Sequence, residues 1–169
     1  LFVLGMVVLI TARVDYGESA PWSEKLPWFM VAFVYFFIGL DDCVGIHENF
    51  IAIGGKLALD SVAFHFIHEW LWFYGPVAVV VVIFFARFFL KRFSYSPKVM
   101  GIMFVALTLW IGVLILEGLS KKVVDPLSYD YTRILIGIEE GFEMLGATLF
   151  IIGFSKHLKN LQEKSTPKL

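Results

Sequence analysis

Residues 99–119 read VMGIMFVALTLWIGVLILEGL, and the first ionisable side chain in that run is Glu117. At about 1.5 Å per residue, a helix of this length covers about 30 Å, the thickness of a bilayer's hydrocarbon core. Backbone groups withdrawn from water into lipid must bond within their own segment, so the run is expected to be a membrane helix rather than a strand. The rest of the chain supports that solvent. Of 169 residues, 59% are hydrophobic and only 17% charged, with a mean hydropathy of +0.78. A soluble domain of this size needs more polar surface.

Outward from this run, further apolar segments are expected at about 27–54, 70–90 and 132–154. Pro27 stands in a first helical turn, Gly54-Gly55 acts as a stop, and Pro76 is either a kink or the true start of its segment. The opening run, Leu1 to Ala12, is too short to span alone. It reads as the end of a truncated first helix, because no basic flank or small-residue cleavage pattern marks it as a signal remnant. Residues 56–69 are mixed in character and are expected to form a short interfacial helix. The expected fold is therefore all-α: a polytopic transmembrane bundle of about five segments plus that interfacial helix. It divides into one transmembrane domain, 1–155, and a basic cytoplasmic tail, 156–169. The single cysteine, Cys43, excludes an intrachain disulfide. A net charge of -1 provides no basic surface for nucleic acid.

Basic residues set the orientation. Arg13, Lys25, Arg87, Lys91, Arg92, Lys98, Lys156, Lys159, Lys164 and Lys168 fall on one side, ten against the four of Lys56, Lys121, Lys122 and Arg133. The C-terminus is thus expected in the cytoplasm, with Trp22, Trp28, Trp70, Trp72 and Tyr74 in the interfacial belts.

Acids inside the segments are the functional signal, since each costs about 2.5–3.5 kcal/mol to insert. Asp41, Asp42 and Glu48 lie in the second segment, Glu117 ends the fourth, and Glu139, Glu140 and Glu143 lie in the fifth. Glu139 and Glu143 are one helical turn apart with Glu140 beside them, and Gly146 allows close approach of a neighbour. Asp41 and Glu48 share one face of a continuous helix, Cys43 and His47 another. His65, His68 and Glu69 are spaced to share a face leading into the third segment. By the orientation above, these groups fall in the outer half of the membrane, although that orientation used only Lys and Arg. Carboxylates and imidazole from several helices are how di-iron and di-manganese sites are built. The expected site is one or two divalent metals, Fe, Mn or Zn, held by His47, Glu48, Glu139 or Glu140, and Glu143. Asp41 or Asp42 and Glu117 contribute, with His65, His68 and Glu69 as outlying candidates. The usual Glu-x-x-His pairs of di-metal bundles are absent. Besides a metalloenzyme, a structural subunit contacting other membrane chains or copies of itself, and a proton or cation path, would use such acids.

Leu40-Asp41-Asp42 with His47-Glu48, then Glu117, then Glu139-Glu140-x-x-Glu143-x-x-Gly146, resembles a group of uncharacterised prokaryotic multipass membrane proteins. That group has Leu-Asp-Glu…His-Glu in one helix and Glu-Glu-x-x-Glu in a later one. Asp42 departs from the pattern by standing where Glu is expected. The resemblance implies a shared polar site in a prokaryotic plasma-membrane protein and carries no activity.

Overall fold

The computed structural model describes residues 1–16, 20–45, 69–123 and 129–165, with side chains at all of these except 69–74, 117–123, 129–132 and 164–165. Five helices make up these residues: α1 (Phe2–Tyr16), α2 (Trp22–Val44), α3 (Glu69–Phe93), α4 (Pro97–Val123) and α5 (Tyr129–Ser165). No strand occurs among the described residues. Among them, α2 and residues Pro97–Leu116 of α4 are long and apolar enough to cross a membrane. The interfacial helix expected at 56–69 lies outside the described residues, apart from Glu69, which opens α3.

Several boundaries differ from the sequence reading, each for a local reason. Helix α2 starts earlier, after Pro21 at its N-cap, so Pro27 lies inside the helix rather than in its first turn. It also ends earlier: Gly45 adopts a left-handed conformation (φ 63°) and its N–H donates to the Asp41 carbonyl at 2.7 Å. Glycine takes this conformation without the steric cost a Cβ would bring, and it ends the helix. Helical spacing therefore does not carry from Asp41 to Glu48, or from Cys43 to His47. Helix α5 is longer than expected, running through Ser165 into what reads as a polar tail.

Helix α1 packs against α2 and α5, α5 lies along α4, and α4 pairs with α3. The closest approaches use glycine. A Cβ on Gly146 would stand 2.5 Å from Trp110 Cδ1, and one on Gly153 would stand 2.8 Å from the Met103 thioether. The neighbour that Gly146 admits is thus an indole ring, with the Ala106 carbonyl beyond it at 3.4 Å.

Helices α2 and α5 run antiparallel and meet through rings at seven-residue intervals. Trp28 stacks on His157 with centroids 5.7 Å apart, and Tyr35 meets Phe150 at 5.5 Å. Asp42 hydrogen-bonds Glu143 one step further along both helices. Two helical turns separate successive members on each helix, which keeps them on one face. Phe85, Phe89, Phe93 and Phe154 fill the space around this seam and are all buried. The paired phenylalanines of α3 are thus mostly core. Trp28 is also fully buried among these rings, whereas Trp22 is exposed and stacks on Phe29. The outer surface is strongly apolar, with Val77, Val79, Val80 and Ile83 of α3 and Phe33 of α2 all exposed.

Candidate functional site

Two polar groups occupy opposite ends of the α2–α5 seam. At one end, Asp41 and Asp42 occupy the last turn of α2, Asp41 half-buried and Asp42 exposed. Across from them, α5 presents Glu139 and Glu143, both half-buried, and the exposed Glu140. Asp42 and Glu143 are hydrogen-bonded side chain to side chain, and Glu139 lies within electrostatic range of Glu143. Carboxylates are acceptors only when ionised, so a hydrogen bond between two of them requires a proton on one. Their placement follows from local chemistry. Gly45 stops α2 just past Asp42, and the one-turn spacing of Glu139 and Glu143 sets both on one side of α5.

Of the expected ligands, the structure thus brings together Asp42, Glu143 and, one turn away, Glu139. His47, Glu48, His65 and His68 lie outside the described residues, as do the side chains of Glu117 and Glu69. Among the described residues, no three Asp, Glu, His or Cys side chains converge as a metal site. Cys43 is exposed and forms no disulfide.

The other end holds a group that the sequence reading did not single out. His157 is fully buried, stacked on Trp28 and edge-on to Phe93 at 4.9 Å. Its Nδ1 is hydrogen-bonded to the Tyr95 hydroxyl, and its Nε2 faces Asp15 Oδ2 at 3.7 Å. Asp15, its side chain 1% exposed, forms an ion pair with Arg92, whose guanidinium also covers the Tyr16 ring at 4.6 Å. One network thereby joins the end of α1, the end of α3, the α3–α4 connection and α5. Burial works to raise the Asp15 pKa, but His157 and Arg92 outweigh it and hold the carboxyl below its ordinary value. Burial, reinforced by the Asp15 charge, raises the Tyr95 phenol, against the lowering contact of Asn160 and the Arg92 charge.

The signal for this second group is present in the spacing. Glu143, Phe150 and His157 recur at seven residues on α5, as Trp28, Tyr35 and Asp42 do on α2. A stripe that is polar at both ends and aromatic between them marks a helix pair continuing past Ser155.

No curated protein and no solved structure matches the chain. A family model does, over residues 1–158, and it is described only as a domain of unknown function. The chain with its two polar ends on one aromatic seam therefore belongs to the family DUF8692.

Proposed function

We propose that the protein is a polytopic membrane protein whose carboxylates on α2 and α5 form one wall of a divalent-cation site. The observation that carries this reading is the direct contact between Asp42 and Glu143 from two different helices. Acids so placed, on helices with strongly apolar outer surfaces, are costly as bare anions, which supports a cation beside them. A hard or borderline cation such as Fe, Mn or Zn suits carboxylate oxygens. Glu139 adds a third carboxylate one turn away, and His47 and Glu48 follow Asp42 closely in sequence. The excess of basic residues at the opposite end supports a cytoplasmic position for that end and for the C-terminus.

A second reading rests on the same contact. The two carboxyl groups share a proton, and the pair acts as an interhelical clasp or as a stage in proton movement.

Elemental analysis of protein purified without added metal separates the two. The cation reading expects stoichiometric Fe, Mn or Zn, lost in Glu143→Gln and in Asp42→Asn while the helical circular dichroism is kept. Metal-free protein that stays metal-free when each ion is supplied in turn overturns it in favour of the shared proton.

A further inference from the structure

On the side of α2 turned away from α5, a groove of about 430 Å³ separates α2 from α3. Its walls are side chains such as Leu26, Phe29 and Phe33 of α2 and Val80, Val81 and Phe84 of α3, all apolar. The volume falls in the range of small-molecule sites, about 300–1,000 Å³. Leu26 and Phe33 are two turns apart, so the groove follows the helix axes for about 10 Å.

Two features identify the occupant. The walls contain no Gly, Ala, Ser or Thr. Close helix–helix contacts in lipid depend on such small residues, so these walls suit a flexible hydrocarbon chain better than another helix. The second feature is charge. On α3 the positions of Val80 and Phe84 continue at i+7 and i+11 to Arg87 and Lys91, both exposed. The apolar stripe thus runs directly into two cations at the end where α2 begins. On α2, Trp22 lies one turn before Leu26, stacks on Phe29 at 5.1 Å and marks the interfacial level. Glu24, the acid in this turn, is two residues from Leu26 and projects to the opposite side of α2.

We infer that the α2–α3 groove binds one acyl chain of an anionic phospholipid, with the phosphate of its headgroup held by Arg87 and Lys91. This site is separate from the carboxylate contact and rests only on the membrane placement in the reading above. It lies at the basic end, which that placement puts in the leaflet richer in anionic lipid.

Native mass spectrometry of detergent-purified protein, offered an equimolar mixture of phosphatidylglycerol and phosphatidylcholine with identical acyl chains, tests it. Phosphatidylglycerol is expected to be retained preferentially. Arg87→Gln and Lys91→Gln are each expected to reduce that preference about fivefold, the factor one basic residue contributes at an anionic surface. Val80→Trp, which fills the groove, is expected to abolish retention of both lipids, whereas Val105→Trp on the exposed face of α4 leaves retention unchanged. Equal retention of the two lipids by the unaltered protein overturns the proposal. So does undiminished phosphatidylglycerol binding in the doubly neutralised Arg87→Gln/Lys91→Gln protein, a readout that does not depend on whether Val80→Trp folds. Alkaline-carbonate washing of membranes checks the underlying placement separately. A chain released by the wash refutes membrane insertion, whereas an unreleased chain without lipid preference refutes the groove alone.

Discussion

Replacing Asp15 by Asn removes a carboxylate that faces both Arg92 and His157 while preserving the shape of the side chain. The Asp15 side chain is 1% exposed and that of Arg92 is 29% exposed, so the pair is buried on one side and partly wetted on the other. Breaking a fully buried pair costs about 3–5 kcal/mol because a charge is left unmatched. Access of water to Arg92 screens part of that loss, which brings the expected destabilisation to about 2–3 kcal/mol. For a chain of this size each kcal/mol moves the midpoint by about 2–4 °C, so a fall of about 5–10 °C in detergent is expected. The assay is thermal unfolding followed by circular dichroism, carried out as a cycle with Arg92→Gln. If the ion pair is the cause, Asp15→Asn costs far less on the Arg92→Gln background than alone. A midpoint within a degree of the unaltered protein, or fully additive losses, refutes the reasoning. The pH dependence has a definite sign. The folded-state pKa of Asp15 is lowered from 3.8, so its contribution is complete above the ordinary carboxylate range. It is lost only as pH falls below that value and through the lowered pKa, and Asp15→Asn removes this acid-side loss.

Tyr95→Phe deletes the hydroxyl bonded to His157 and is expected to cost about 1 kcal/mol. Alkaline difference spectra of the unaltered protein should show phenol ionisation above pH 10 that includes Tyr95, the direction set by burial, and the variant should show a smaller late amplitude. Gly146→Val places a side chain where its Cβ alone stands 2.5 Å from the Trp110 ring. Overpacking of this kind costs about 1–3 kcal/mol, and a shift in tryptophan fluorescence should accompany the lowered midpoint.

The acids on α2 and α5 were conspicuous in the sequence because charge inside an apolar run is costly and stands out against its neighbours. The same logic hid the second group. Asp15, Arg92, Tyr95 and His157 sit where segments end, and polar residues there are ordinary; Arg92 counted only toward orientation. His157 was further obscured by the surrounding lysines, which make residues 156–164 read as a tail. Only the alignment of His157 with Phe150 and Glu143 shows that the buried face continues. Trp28 posed the converse problem. An indole near a segment start fits an interfacial belt, and only its contact with His157 and Phe154 assigns it to the interior. The end of α2 was not legible either, because a glycine that lets helices approach and one that turns the chain have the same surroundings in one dimension. The left-handed conformation of Gly45 is a property of the folded backbone.

The ladder from Trp28–His157 to Asp42–Glu143 also acts as a ruler. Fourteen residues on each helix separate its ends, which at helical rise is about 21 Å. On the proposed membrane placement the hydrocarbon layer is about 30 Å thick, so the two polar levels would not both reach its boundaries unless the bilayer thinned by about a third. On that placement, with the histidine network at one headgroup boundary, the Asp42–Glu143 contact would stop about 9 Å short of the other boundary. A fixed number of residues between two polar pairs would then hold those acids at a depth where ionised carboxylates are poorly tolerated.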